Sequence, residues 1–123
     1  MRLTKNFSLS EFDCNDGTEM PSELLTNVLE LAENLQVLRD FVGVPIKINS
    51  AYRSLRYNAI IGGSKNSQHL FAKAADVVIE SKSPEQVANI IKALILEGKM
   101  KQGGIGVYNT FTHYDIRGHK ARW

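Results

Sequence analysis

The chain has 123 residues, of which 43% are hydrophobic and 23% are charged, and its formal net charge is +2. A chain of this length can bury a core without disulfides or a structural metal, so we expect one domain over residues 1–123, in which any metal is free to be catalytic. No apolar run approaches the roughly 20 residues that span a bilayer. Lys and Arg are spread along the chain, which argues against a nucleic-acid-binding protein.

The first residues, Met1 to Asn6, carry positive charge but no apolar segment follows them, so no secretory signal peptide is predicted. We therefore expect a protein that is cytoplasmic as synthesised and that meets any external target only after its release. We also expect a monomer. The single cysteine, Cys14, has no partner for a disulfide or a zinc knuckle and is predicted to be a small, partly buried apolar residue.

The N-terminal part of the chain predicts a short helical turn and then a long helix. Ser8 and Glu11 have the Ser-x-x-Glu spacing of a capping box, which typically begins a helix. From about Ser22 to Val42, apolar residues recur at intervals of three and four and define one face of a helix: Leu24, Val28, Leu31, Leu35 and Leu38. Gly43 is predicted to end this helix.

The middle of the chain predicts two strands separated by a loop. Residues 46–48 alternate and are rich in β-branched side chains, which indicates a strand that delivers residues 49–53 to one end of a sheet. Residues 60–67 begin apolar and continue with Gly, Ser and Asn, which indicates a loop that leads directly into His69. A second strand is predicted over residues 74–80.

The C-terminal part predicts a second helix and a hairpin. Ser83 at the cap and Gln86 three residues later begin a helix that ends near Gly98. Two strands over residues 102–108 and 111–117 flank a tight turn. The elements together predict an α+β fold, with helices packed on one face of a small, mostly antiparallel sheet.

Two of the three histidines lie near carboxylates and suggest a metal site. A catalytic zinc needs three protein ligands with nitrogen or oxygen donors and an open position for water. His69, Asp76 and His113 provide that number and those donors. The spacing of His69 and Asp76 does not suit one helical face, but it suits a loop followed by a strand. Spacing alone does not distinguish such a site from ordinary structural or surface residues.

Asp115 is predicted to share a strand face with His113, because side chains two residues apart in a strand point to the same side. It is therefore expected to lie beside the metal. Two roles are open for it. Asp115 is either an acceptor that orients a metal ligand or a base that takes a proton from the metal-bound water.

Three motifs occur in order along the chain: Ser50-Ala51-Tyr52-Arg53-Ser54 with Asn58, then Ser67-x-His69-x-x-Ala72-x-Ala74-x-Asp76, then Gly103-Gly104-Ile105-Gly106 followed by His113-x-Asp115. Together they resemble the M15 family of peptidoglycan peptidases, the D-alanyl-D-alanine carboxypeptidase group. Within this family the similarity points to the short, single-domain branch, of the subfamily A type, that is found in phage and prophage genes. The resemblance extends from about Phe7 to Trp123.

The resemblance implies a fold of the D-Ala-D-Ala carboxypeptidase or hedgehog-like type and a zinc-dependent activity on cell-wall peptides. It implies that Zn²⁺ is bound by His69, Asp76 and His113. It also implies that Arg53 holds a carboxylate of the peptide stem, a role that suits the planar guanidinium group. Ser67 is expected either to bind the substrate or to brace the loop before His69.

Two positions depart from the family pattern. Ala72 stands where the signature has Gly, which costs about 1 kcal/mol if the position needs a positive φ. Thr110 stands where many relatives have an acidic base, and its hydroxyl cannot take a proton from water at neutral pH. Asp115 is therefore predicted to be the catalytic base, with His119 as a second candidate. The tyrosines near the predicted sheet are expected in the core rather than in the cleft: Tyr52, Tyr108 and Tyr114.

Two functions follow from these motifs. The first is a zinc-dependent peptidase that hydrolyses an amide bond in the peptide stem or cross-link of bacterial peptidoglycan, in the manner of a phage endolysin. The second is a cell-wall-binding or structural module that keeps the zinc site but has lost efficient catalysis. The reason for this hypothesis is Thr110, which stands where an acidic base is expected. The expected partner is the peptidoglycan peptide stem.

Overall fold

A five-stranded sheet forms the centre of the computed structural model, which describes residues 1–123. Its strands are β1 (Ile46–Ser50), β2 (Ala74–Ile79), β3 (Gly104–Val107), β4 (Thr112–Asp115) and β5 (Ala121–Arg122). Their spatial order is β1-β2-β4-β3-β5, with β5 parallel to β3 and every other pair antiparallel. The predicted α+β fold with a mostly antiparallel sheet is confirmed.

Three α-helices accompany the sheet: α1 (Leu25–Val42), α2 (Leu55–Ile60) and α3 (Pro84–Leu96). Gly43 follows α1 with a φ of 71°, a left-handed conformation that glycine adopts without strain, so it ends this helix as predicted. The capping box before α3 is also present, because Ser83 and Gln86 each bond the backbone N–H of the other. None of the three helices combines the length and apolarity that a membrane crossing requires.

The sheet separates the hydrophobic core from a polar face, because side chains alternate along each strand. On one face, Val77, Tyr114 and Ile105 are fully buried and join the core with residues of α1 and α3: Val28, Leu31, Leu35, Leu38, Val87, Ile91 and Leu94. Asp76 and His113 alternate with these strand residues and point to the other face. The rigid packing of the core therefore sets the positions of two predicted metal ligands.

Three short elements were not predicted: α2, a 3₁₀ turn over Gln68–Phe71, and β5. The six residues of α2 are too few for a helical repeat to be recognised, although Ser54 caps it by accepting a hydrogen bond from the backbone N–H of Tyr57. The two residues of β5 are strand only because they pair with β3.

Candidate active site

The register of β2 and β4 places Asp76 directly opposite His113. His69 comes from the 3₁₀ turn that immediately precedes β2. The backbone N–H of Arg53 donates to the carbonyl oxygen of His69 at 3.0 Å, which ties this turn to the segment after β1. Strand pairing and one hydrogen bond between loops therefore bring the three predicted ligands together.

The side chains of His69, Asp76 and His113 converge on one point. One ligand atom from each residue lies within 4.8 Å of the other two. Oδ1 of Asp76 is 3.2 Å from Nε2 of His69 and 3.3 Å from Nδ1 of His113. All three residues are buried, with exposed fractions of 2%, 3% and 6% for His69, Asp76 and His113.

The remaining nitrogen of each imidazole faces a group that only accepts hydrogen bonds. Nδ1 of His69 is 2.7 Å from the carbonyl oxygen of Ala51, and Nε2 of His113 is 2.7 Å from Oδ2 of Asp115. Each of these nitrogens must carry the proton, which leaves His69 Nε2 and His113 Nδ1 unprotonated in the neutral rings. Two lone pairs then face Asp76 Oδ1. A cation bound between these three acceptor atoms would remove the repulsion among them.

The donor set fits zinc. Two imidazole nitrogens and one carboxylate oxygen are ligands of catalytic Zn²⁺, which keeps a fourth position for water or substrate. Burial acts to raise the pKa of Asp76. When the nitrogens of His113 and His69 that face Asp76 carry a proton, the hydrogen bonds that they donate outweigh burial and hold the pKa of Asp76 below its ordinary value. Asp76 is therefore ionised at neutral pH, as metal ligation requires.

Asp115 is fully buried, and both of its oxygens are engaged. Oδ2 lies 2.7 Å from His113 Nε2 and 2.7 Å from Arg117 Nη2. Oδ1 accepts hydrogen bonds from Arg117 Nε at 2.8 Å and from the backbone N–H of Gly104 at 2.9 Å. Burial acts to raise the pKa of Asp115, yet these bonds hold it below its ordinary value. A carboxylate so occupied is a weak proton acceptor.

These contacts favour one of the two roles predicted for Asp115. Its carboxylate bonds the ring nitrogen of His113 that points away from Asp76, and Asp115 does not line the cleft above the ligands. It is therefore placed to orient His113 and to fix the tautomer of that ring. The predicted role as catalytic base finds no support in this geometry, because the proton of a water molecule in the cleft is out of its reach.

Arg53 lies at the cleft and is aimed by three contacts. Its Nε donates to Ser50 Oγ at 3.1 Å, its Nη1 to Asn58 Oδ1 at 3.3 Å, and its Nη2 to Asp76 Oδ2 at 3.1 Å. A guanidinium has five N–H groups, so one remains on each terminal nitrogen. Arg53 thus keeps two donors for a substrate carboxylate, and its role as the substrate anchor stays a prediction.

Ser67 and Ala72 flank the turn that carries His69. Ser67 Oγ accepts a hydrogen bond from the backbone N–H of His69 at 3.2 Å, and Ser67 also lines the cleft. This hydrogen bond supports the predicted role of Ser67 in bracing the loop, while its role in substrate binding stays a prediction. Ala72 has a φ of 55°, so this position does take a left-handed conformation, in which Ala is less favourable than Gly by about 1 kcal/mol.

A cleft of about 670 Å³ opens over the three candidate ligands. The loop over residues 61–68 contributes much of its lining, and aromatic residues contribute the rest together with two arginines: Tyr108, Phe111, Trp123, Arg53 and Arg117. Thr110 and His119 are both exposed and do not line this cleft. The geometry therefore gives His119 no position from which to act as the base.

The profile of the family Peptidase M15 matches residues 4–115, which is most of the chain. The chain belongs to the peptidase M15 family. A zinc D-Ala-D-Ala carboxypeptidase of Streptomyces albus G is 33% identical over 78 residues, which make up 58% of this chain and 31% of that protein. The alignment thus covers less than a third of the length of this relative.

One tyrosine of this M15 chain that was expected in the core lies outside it. Tyr52 and Tyr114 are buried, as predicted. Tyr108 is 43% exposed and lines the cleft, so its assignment to the core was wrong. Tyr108 lies just beyond the end of β3, where the chain leaves the sheet, and the strand was predicted to include it. The general tendency of aromatic residues near a sheet to be buried therefore does not hold for Tyr108, which belongs to the cleft.

Two further residues of the M15 site were not predicted. Arg117 holds Asp115 through two parallel hydrogen bonds, and it continues the alternation of His113 and Asp115 along the chain, which is a signal that the sequence contains. The indole of Trp123 lies 4.9 Å from the imidazole of His113, measured between ring centroids. Its place depends on the pairing of β5 with β3, so no local pattern predicts it.

Proposed function

We propose that this chain is a zinc-dependent peptidase that hydrolyses an amide bond in the peptide stem or cross-link of bacterial peptidoglycan, in the manner of a phage endolysin. One observation carries the proposal: Nε2 of His69 and Nδ1 of His113 converge on Oδ1 of Asp76 beneath an open cleft. Membership of the peptidase M15 family and the named activity of the Streptomyces relative support the choice of substrate.

The chemistry is divided between the metal and the chain. Zinc held by His69, Asp76 and His113 would supply a Lewis acid that polarises the scissile carbonyl and lowers the pKa of water to about 7. Asp115 orients His113 from behind. Arg53 binds a carboxylate of the peptide stem with its two free N–H groups, so that the amide is held in a fixed position relative to the metal ligands.

A digestion experiment tests this proposal. Purified protein is incubated with peptidoglycan fragments with and without a zinc chelator, and the released amino groups are measured. We expect release only without the chelator, and its return when Zn²⁺ is added back. Mass spectrometry of the products identifies the bond and distinguishes a carboxypeptidase from an endopeptidase. Absence of release in both samples, or equal release in both, contradicts the proposal.

Arg53→Lys is expected to raise KM for the cell-wall peptide by about 10-fold or more. Lysine keeps the charge but cannot offer two parallel N–H groups, and a hydrogen bond between charged groups contributes about 1.5–3 kcal/mol. Steady-state kinetics on a purified muropeptide measures the effect. Arg56→Lys is the matched control, since Arg56 is exposed on α2 and outside the cleft. An unchanged KM in Arg53→Lys would remove the carboxylate anchor from the mechanism.

A second candidate function has its own supporting observation. The cleft lining contains no carboxylate other than Asp76, so no acidic side chain is free to act as a general base. A cell-wall-binding module that retains the zinc site but catalyses weakly fits this composition. Co-sedimentation with insoluble peptidoglycan, in the absence of any released amine over the same period, supports the module rather than the peptidase.

A further inference from the structure

The cleft offers few ionisable side chains that can act on a reacting amide. Its lining contains six ionisable side chains: Arg53, His69, Asp76, Tyr108, His113 and Arg117. Three of these are the candidate metal ligands, and the two arginines are engaged with Asp76 and Asp115. Tyr108 is the remaining one.

Tyr108 is on the face of the sheet that carries the site. Gly106 pairs with His113 across β3 and β4, and Tyr108 follows Gly106 by two residues, so both face the same side. Phe111 stacks on the Tyr108 ring, with the ring centroids 4.5 Å apart and the planes at 12°. This stacking holds the phenol at the edge of the cleft, although its side chain is partly exposed.

The hydroxyl of Tyr108 has a defined partner. Nε1 of Trp123 is 2.7 Å from the Tyr108 oxygen, and an indole nitrogen only donates, so the phenol oxygen accepts this bond. The proton of the hydroxyl is then free to be donated elsewhere. Because the indole also lies against His113, the contacts run from the phenol through Trp123 to a metal ligand.

Gly106 provides the space for this arrangement. A Cβ at Gly106 would lie 2.4 Å from Nε1 of Trp123 and 2.6 Å from Cε2 of the same ring. Any side chain at this position would therefore push the indole away from the strand, and with it the donor that holds the Tyr108 hydroxyl. The glycine, the tryptophan and the tyrosine form one unit beside His113.

We propose that Tyr108 is a catalytic residue that donates a hydrogen bond to the carbonyl oxygen of the scissile amide as this oxygen gains negative charge. The inference rests on the proposed peptidase function. Tyr108 keeps its proton throughout: the water oxygen bonds to the carbonyl carbon, the C–N bond breaks, and a proton from water ends on the leaving amine. Trp123 is a positioning residue, because its indole N–H holds the Tyr108 hydroxyl.

Tyr108→Phe tests the proposal, since it removes the hydroxyl and keeps the ring stacked on Phe111. We expect kcat to fall by about 10-fold to 100-fold. The loss should be smaller than the loss on removing a donor from a water-free site, because Tyr108 is partly exposed. KM and bound zinc should stay within about 2-fold. Tyr57→Phe is the matched control, because Tyr57 lies on α2 outside the cleft lining, and it should keep the wild-type kcat.

A second measurement does not depend on turnover. A phosphinate analogue of D-alanyl-D-alanine has a tetrahedral centre that resembles the transition state, and its binding to the zinc-loaded protein is followed by the fluorescence of Trp123, the only tryptophan in the chain. Tyr108→Phe should weaken binding of the phosphinate by about 10-fold and binding of D-alanyl-D-alanine itself by less than about 3-fold.

Trp123→Phe separates positioning from direct contact. It removes the N–H donor, so kcat should fall by about 3-fold to 10-fold, and adding it to Tyr108→Phe should cause no further loss. An active wild type whose Tyr108→Phe variant retains both kcat and phosphinate affinity overturns the proposal. A wild type that releases no amine overturns the peptidase function and with it the catalytic role of Tyr108, and the phosphinate titration then shows only whether the Tyr108 hydroxyl binds a tetrahedral centre.

Discussion

Asp115→Asn is expected to weaken zinc binding by about 10-fold to 100-fold, the usual cost of losing a group that orients a metal ligand. The amide nitrogen of asparagine donates rather than accepts, so the substitution can turn an N–H towards Nε2 of His113. The imidazole proton would then move to Nδ1, the nitrogen that faces Asp76. A protonated nitrogen cannot ligate zinc.

Competition with a chromophoric chelator measures this affinity, and circular dichroism checks the fold. Asp13→Asn is the control, because Asp13 is exposed and remote from the cleft lining, and it should leave zinc affinity unchanged. The two roles predicted for Asp115 give opposite results. A base would lose turnover and keep zinc, whereas an orienting acceptor loses zinc first. Retention of full zinc affinity in Asp115→Asn would restore the role of base.

Gly103→Ala is expected to lower the free energy of unfolding by about 3 kcal/mol or more, the upper part of the range for overpacking. An added Cβ would lie 1.8 Å from the backbone carbonyl oxygen of Asp115. Backbone atoms of a paired strand cannot rotate away as a side chain can, so the two strands must separate. Asp115 would move relative to His113, and zinc affinity should fall together with stability.

Urea unfolding at constant m value measures the loss of stability. Gly17→Ala is the control: its φ of 84° strains alanine, but an added Cβ meets no atom within 4 Å. It should therefore lose only about 1 kcal/mol and keep its zinc affinity. Equal losses in the two variants would contradict the prediction, because they would show that the contact with Asp115 costs no more than the strain at an open position.

The charges around the cleft support an anionic substrate. Asp76 is paired with Arg53, and Asp115 is paired with Arg117, so the net charge of these four side chains is zero. A bound divalent metal then gives the site a net positive charge with no free carboxylate to oppose it. Stem peptides of peptidoglycan end in or carry carboxylates, which agrees with the proposed function.

The local signals of helices and strands were sufficient for most of the fold. The capping boxes at Ser8 and Ser83 are both present, and the apolar repeat from Val28 to Leu38 does form one buried face of α1. These signals work because a helix end or an amphipathic face is specified by residues within a few positions of one another. Of the elements that were missed, β5 is strand only because it pairs with β3, and α2 is too short for a helical repeat to be recognised.

The sequence by itself determined the fold class, the family and the candidate ligands His69, Asp76 and His113, because all of these depend on residue types at fixed spacings. Only the tertiary structure decided how the residues around them act. Whether Asp115 faces the cleft or the back of His113, and whether Tyr108 is in the core or beside the ligands, depends on the register of β4 with its neighbouring strands. Register is set by the packing of the whole sheet, and no local pattern contains it.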